Sequence, residues 1–153
     1  MHTTTDADEF ARYLKMMNER AHAQAHGSCF LIFETQAPGT PGKNRYVQFS
    51  FERRCFCLDM PRETLRRSEA QRILRERSGF FYLRDRPRFT LRGEEVGDTD
   101  PFRKVFIYGE ERIAAQDTAY IFFQVFRLPS DSPLYVSAAS FSGPQQWELG
   151  EPI

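Results

Sequence analysis

The sequence RYVQFSFERRCFCL, residues 45–58, contains the alternation that decides the fold. Alternate residues of an extended chain point to opposite faces of a sheet. One face of this segment carries the apolar side chains of Val47, Phe49 and Phe51. The other face carries Tyr46, Gln48, Ser50 and Glu52. The alternation resumes from Cys55, so we predict two strands joined through residues 52–54, with a single bulged strand as the alternative.

Two segments beside these strands have the composition of helices. The first helix is predicted from an N-cap at Thr5 to a stop before Gly27, and its apolar stripe consists of Phe10, Tyr13, Leu14, Met17 and Ala21. The second is predicted to begin at Asp59 and Pro61 and to end at Gly79. Its apolar stripe is narrow, so most of its circumference faces water or a partner.

The other apolar segments predict further strands and helices. Strands are predicted at residues 29–33, 80–83, 88–91 and 134–141. Asp100 and Pro101 predict the start of a helix, and helical spacing continues through Phe102, Val105, Phe106 and Ile113. Residues 118–128 suit a strand on propensity, but their apolar spacing favours a helix, which we predict.

Length and composition indicate a single α+β domain over residues 1–153, with an ordered core at about 6–141 and a polar tail at 142–153. We expect a mainly antiparallel sheet of about five to six strands packed against two to three helices, with a core rich in the chain's 15 Phe. No apolar run approaches a membrane span, and the polar, acidic N-terminus lacks a secretory signal. We therefore expect a cytoplasmic protein that does not bind membranes.

Charge is strongly polarised along a chain whose net charge is zero. Residues 43–92 contain 14 Lys and Arg against 6 Asp and Glu, a net charge of +8, and the flanks have 7 against 15, a net charge of −8. Guanidinium groups bind carboxylate and phosphate through paired hydrogen bonds, so the basic block predicts a surface for acidic partners. Alternatively, acidic residues neutralise the basic block within the fold or across a homodimer. A net charge of zero disfavours binding to nucleic acid, because nucleic-acid-binding domains usually have a net positive charge.

No motif in the sequence indicates catalysis or a cofactor. His22 and His26 have the spacing of metal ligands ahead of Cys29, but no third ligand follows at a matching distance. The chain also lacks a nucleophile elbow, a phosphate-binding glycine loop and paired carboxylates. We therefore expect no enzyme activity, no metal and no cofactor, and we expect Cys29, Cys55 and Cys57 to be reduced thiols.

Three short motifs follow one another along the chain: the strand Arg45-Tyr46-Val47-Gln48-Phe49, then Asp59-Met60-Pro61, and a helix ending in Ser78-Gly79-Phe80. They resemble the YbjN-like and type III secretion chaperone-like domains, whose bacterial members often carry a Tyr-Val-Gln-Phe strand. Residues 125–129, VFRLP, are similar to the helix end Val-Phe-Gly of that family, with Arg127 in place of glycine. Residues 100–109 look like an insertion. The resemblance spans residues 6–140 and implies a compact, often dimeric α+β fold that binds other proteins and catalyses nothing.

The predicted function is therefore a non-enzymatic, chaperone-like module that binds a protein client, with an Arg-rich face for acidic groups. Its predicted contact residues are Tyr46, Gln48, Glu52, Arg53, Arg54, Arg62 and Arg66. Neutralisation of a bacterial toxin would use the same physics. The alternative function is a small nucleic-acid-binding domain that uses the arginines of residues 43–92.

Overall fold

One antiparallel sheet organises the protein in a computed structural model, which describes residues 2–4, 6–23, 29–36, 44–52, 55–61, 64–82 and 102–140. Its described strands are β1 (His2–Thr4), β2 (Cys29–Glu34), β3 (Tyr46–Phe51), β4 (Cys55–Met60), β5 (Phe81–Tyr82), β6 (Phe102–Ile107) and β7 (Leu134–Ser140). Their order across the sheet is β1-β7-β2-β3-β4-β6-β5, and all neighbours are antiparallel. The α+β class is confirmed, and the short edge strand β1 brings the described strands to seven.

Within the described ranges, three α-helices accompany the sheet: α1 (Ala7–Ala23), α2 (Arg67–Glu76) and α3 (Glu111–Ala119). Helix α3 continues directly into a π-helical segment, Tyr120–Val125, so the helix predicted over residues 118–128 is confirmed as far as Val125, and the last three residues lie outside it. Asp6 caps α1, because its Oδ1 accepts a hydrogen bond of 2.8 Å from the backbone N–H of Asp8. The predicted cap, Thr5, lies outside the described residues.

The core lies between the helices and one face of the sheet. Val47, Phe49 and Phe51 are fully buried on that face, as the alternation predicts, whereas Tyr46 and Gln48 are only partly buried on the other. The centroid of the Phe10 ring on α1 lies 5.1 Å from the centroid of the Phe33 ring on β2. The centroid of the Phe49 ring lies 6.2–6.5 Å from the centroids of four neighbours, Phe33, Phe51, Phe56 and Phe106.

The helix predicted from Asp100 and Pro101 is wrong, because this segment contains strand β6. The strand pairs with β4 along its whole length and with β5 at its start, and so it belongs to the sheet. Its inward row is Phe102, Lys104 and Phe106, all buried. A lysine in the buried row hides the period of two from the sequence pattern, because a lone Lys is expected to face water.

The predicted start of the second helix at Asp59 is also wrong. Asp59 lies in β4, where its Oδ1 accepts a hydrogen bond of 2.5 Å from Nε of Arg103 on β6. A short turn follows, in which the backbone N–H of Thr64 donates to the carbonyl of Pro61 (3.0 Å), and α2 begins only at Arg67. The carboxylate of Asp59 therefore pairs with Arg103 on the neighbouring strand and does not cap a helix.

The remaining strand predictions have mixed outcomes. Strands β3 and β4 confirm the pair predicted in residues 45–58, and β2 and β7 confirm those at residues 29–33 and 134–141. The strand at 80–83 is confirmed as the two-residue β5. Residues 88–91 and the tail at 142–153 lie outside the described residues.

Candidate functional site

A cleft of about 550 Å³ lies between α2 and the end of the π-helical segment. We call it the arginine cleft, because its lining contains Arg45, Arg66, Arg72, Arg75 and Arg127. Among the described residues, the lining holds a single acidic residue, Glu69. These arginines come from three separate parts of the chain, and the fold brings them together on one concave surface.

The composition of α2 explains why this helix presents its charges to the cleft. Only Ala70 and Ile73 of α2 are buried, so the rest of its surface is available to polar side chains. Ser68, Arg72 and Arg75 have the spacing i, i+4 and i+7 and therefore share one face of the helix. That face forms one side of the arginine cleft.

Arg45 is held rigidly at the side of the cleft by three contacts. Its Nη2 donates to the carbonyl oxygen of Thr64 at 3.1 Å and also to the carboxylate of Glu69. Its guanidinium carbon lies 3.7 Å from the centroid of the Phe126 ring, a stacked cation–π geometry. The guanidinium is thereby preorganised before any ligand arrives.

Arg72 joins α2 to the π-helical segment. Its Nε donates to Oε1 of Glu76 at 3.0 Å, and its Nη1 donates to the carbonyl oxygen of Gln124 at 3.1 Å. The hydroxyl of Tyr120 donates to Oε2 of Glu76 at 2.7 Å. This hydrogen bond and that from Arg72 lower the pKa of Glu76, and burial together with the same bond raises the pKa of Tyr120 to about 12.

The other three arginines of the cleft are exposed and unpaired among the described residues. No described carboxylate lies within 4.0 Å of the guanidinium nitrogens of Arg66, Arg75 or Arg127. Their charges are therefore available to an anion that enters the cleft. Among the described arginines of residues 43–92, Arg45, Arg72 and Arg77 are therefore paired with carboxylates, whereas Arg66 and Arg75 are not.

Arg127 has an unusual backbone conformation. Its φ is 58°, and it is the one non-glycine residue with positive φ in the part of the chain that the structure describes. A side chain in the left-handed region costs about 1–2 kcal/mol. The resemblance places glycine at this position, and glycine would relieve the strain. The chain instead keeps a long cationic side chain there, directly in the lining of the cleft.

The predicted contact residues do not lie on one surface. Arg66 lines the cleft, whereas Tyr46 and Gln48 lie on the sheet face that points away from the core. Glu52 follows the far end of β3, where its carbonyl accepts a hydrogen bond from the hydroxyl of Tyr108. Arg53, Arg54 and Arg62 lie outside the described residues.

Of the five arginines in the described lining, only Arg66 is among the predicted contact residues. Arg45, Arg72 and Arg75 belong to the predicted basic block but not to the predicted contacts, and Arg127 enters the sequence prediction only as a departure from the family pattern. For Arg127, the available signal is its position just beyond a predicted helix, where a positive φ is common and normally favours glycine.

The thiols show no sign of activation in the structure. Burial raises the pKa of Cys29 and of Cys57 to about 11, and it also raises the pKa of Cys55. No group of three His, Cys, Asp or Glu within the described ranges is arranged to hold a metal ion. His22 is exposed beside the ring of Tyr108, and His26 lies outside the described residues.

We expect Cys29 and Cys57 to react slowly with iodoacetamide at pH 8 in the folded protein. A pKa of about 11 leaves about one thiol in a thousand as thiolate at that pH, so alkylation should be about a hundredfold slower than in the urea-unfolded chain. Its rate should rise about tenfold per pH unit until the thiols ionise. Mass spectrometry of timed samples measures the rates, and equal rates in folded and unfolded protein would contradict this assignment.

Comparisons with protein-family models, with curated proteins and with solved structures found no match to this chain. The resemblance to YbjN-like and type III secretion chaperone-like domains therefore stays a prediction. Within the described ranges, no helix combines the length and the apolar composition that a membrane span requires.

Proposed function

We propose that the protein is a non-enzymatic, chaperone-like binding module whose arginine cleft binds an acidic segment of a client protein. The observation that carries this proposal is the convergence of five arginines on one cleft, against a single acidic residue, in the part of its lining that the structure describes. A carboxylate fits the planar fork of a guanidinium through two parallel hydrogen bonds. An acidic side chain is thus the ligand that such a lining recognises best among the ordinary amino acids.

The cleft combines rigid and free cations. Arg45 and Arg72 are fixed by their own hydrogen bonds, so they shape the cleft without losing further side-chain entropy on binding. Arg66, Arg75 and Arg127 are exposed and supply the unpaired charge. One face of the Phe126 ring is covered by Arg45, but the side chain is partly exposed and adds a small apolar surface to the lining, which suits a peptide better than a free ion.

The same lining favours a protein segment over nucleic acid. Single-stranded nucleic acids bind to aromatic platforms on which their bases stack. Phe126 is the one aromatic residue in the described lining of the cleft, and the guanidinium of Arg45 already covers its ring at 3.7 Å. The cleft therefore offers charge without an open stacking surface.

Arg127→Gly separates binding from stability and so tests this function. Glycine relieves the left-handed backbone strain, so the free energy of unfolding should be unchanged or higher by up to about 1 kcal/mol. Removal of one cation from the cleft should weaken binding of an acidic peptide about tenfold, as expected for a lost charge-assisted hydrogen bond. Fluorescence anisotropy with a labelled peptide of four consecutive Glu, and urea unfolding, give the two quantities.

The control variant is Arg67→Gln. Arg67 is exposed, lies on the same helix as Arg72 and Arg75, and does not line the cleft. This variant removes the same charge and should leave the affinity within about twofold, because exposed charges outside the contact are screened by salt. The proposed function would be contradicted if the Glu peptide bound no more tightly than a peptide of four Gln. It would also be contradicted if the Glu peptide bound Arg127→Gly and Arg67→Gln with equal affinity.

A further inference from the structure

The charges of the arginine cleft exceed what a single carboxylate ligand can match. Glu69, the one acid in the described lining, is already engaged, because it accepts from the guanidinium of Arg45 and, at 2.9 Å, from the backbone N–H of Arg66. Glu76, which lies just outside the lining, is held by Arg72 and Tyr120. The side chains of Arg66, Arg75 and Arg127 remain without an acid among the described residues.

Three unpaired guanidiniums around one cleft match a dianion with several acceptor oxygens. A carboxylate carries one negative charge on two oxygens, enough for one bidentate contact. A phosphate monoester carries close to two negative charges at pH 7 on three acceptor oxygens. Each of the three guanidiniums can then face an oxygen of its own.

We propose that the arginine cleft binds a phosphate monoester, carried by a phosphorylated serine, threonine or tyrosine of the client protein. This inference rests on the proposed function and names the chemistry of the segment that the cleft receives. A small phosphorylated metabolite offers the same dianion, and the experiment below distinguishes the two sources.

The size and chemistry of the cleft support a phosphate attached to a peptide. A volume of about 550 Å³ exceeds what a phosphate group fills, and it leaves room for the side chain that bears the phosphate and for its neighbours. The partly exposed side chain of Phe126 lies in the same lining. Every cation in the described lining is an arginine, and arginine binds phosphate in fixed fork geometry, whereas lysine acts as a point charge.

Three labelled peptides that differ only at one central residue test the inference. The central residue is phosphoserine, Glu or Ser, and fluorescence anisotropy measures the affinities of the full chain at about 0.15 M salt. We expect the phosphoserine peptide to bind at least about tenfold more tightly than the Glu peptide, and the Ser peptide to bind most weakly. Equal affinities for the phosphoserine and Glu peptides would overturn the phosphate inference and leave the proposed function standing. If neither the phosphoserine peptide nor the Glu peptide bound more tightly than the Ser peptide, both the phosphate inference and the proposed function would be overturned.

Competition identifies the source of the phosphate. Inorganic phosphate and free phosphoserine should displace the phosphoserine peptide only at concentrations at least a hundredfold above its Kd, because they lack the contacts of the peptide. Displacement by either compound at concentrations near that Kd would overturn the assignment to a protein-borne phosphate and indicate a small metabolite.

Paired variants on one helix show whether geometry or overall charge is responsible. Arg75→Gln should reduce the preference for phosphoserine over Glu about tenfold, since Arg75 lines the cleft and is unpaired. Arg67→Gln removes an equal charge outside the lining and should preserve the preference. Equal reductions in the two variants would mean nonspecific attraction to a basic helix and would overturn the inference.

Discussion

Replacing Asp117 with alanine is expected to lower the free energy of unfolding by about 3–5 kcal/mol, the range for removing one partner of a buried ion pair. Asp117 lies on α3 and is fully buried. Its Oδ1 accepts a hydrogen bond of 2.7 Å from Nε of Arg77, and its Oδ2 accepts one of 2.6 Å from Nζ of Lys104. One carboxylate thus joins α3 to β6 and to the end of α2.

The cost arises because Lys104 loses its counter-ion while it stays buried. Its side chain is only 11% exposed, and its Nζ lies 5.4 Å and 5.0 Å from the ring centroids of Phe80 and Phe106. The aromatic faces offset part of the cost of burying a cation, but they cannot replace a carboxylate. Arg77 is 31% exposed and can turn its charge to water.

Urea unfolding measures the effect, and Asp8→Ala is the matched control. Asp8 pairs with Arg112 at 3.5 Å, and both side chains are more than two-thirds exposed, so this change should cost at most about 0.5 kcal/mol. The double variant Asp117→Leu with Lys104→Met replaces the buried pair with apolar groups and should recover at least half of the loss. A loss below about 1 kcal/mol for Asp117→Ala would show that Lys104 does not depend on this carboxylate.

Phe49→Ala is the second substitution with a large expected effect, also about 3–5 kcal/mol. Phe49 is fully buried at the centre of β3, and its ring contacts four other phenylalanine rings. Alanine would remove the ring from a close-packed cluster and leave a cavity that the surrounding strands cannot close. For a chain of this length, the loss corresponds to a fall in Tm of about 6–20 °C.

Gln48→Ala provides the comparison for this substitution. Gln48 is the neighbour of Phe49 in β3 but lies on the opposite face of the sheet, where it is partly exposed. Its replacement should change the free energy of unfolding by about 0.5 kcal/mol or less. A Tm of Phe49→Ala within a degree or two of the wild-type value would show that the assigned inward face of β3 is incorrect.

The sequence was sufficient to predict β3 and β4, and it was misleading for β6. In residues 45–58 the inward positions are all apolar, so the period of two is visible without knowledge of neighbours. In β6 the inward-facing residues include Lys104, and the carboxylate of Asp117 on α3 compensates its buried charge. Phe102, Val105 and Phe106 therefore have helical spacing only by chance, because all three lie in a strand.

The arginine cleft was predicted only in part. The basic character of residues 43–92 and the narrow apolar stripe of α2 indicated an exposed cationic surface that includes Arg66. Arg127 was not expected there, because only folding places the end of the π-helical segment beside α2. The outward residues Tyr46 and Gln48 were assigned to the same surface, whereas the sheet directs them to its other face.

The sequence by itself determined the paired strands of residues 45–58, the stripe of α1 and the division of charge along the chain. Each of these depends on the spacing of near neighbours. The pair of Arg72 and Glu76 has the local spacing i, i+4, but only the tertiary structure decided how Arg45 and Arg77 are neutralised, because their carboxylates are distant in the chain. Glu69 lies 24 residues from Arg45 and Asp117 lies 40 from Arg77, so no local pattern could reveal these pairs or the unpaired arginines of the cleft.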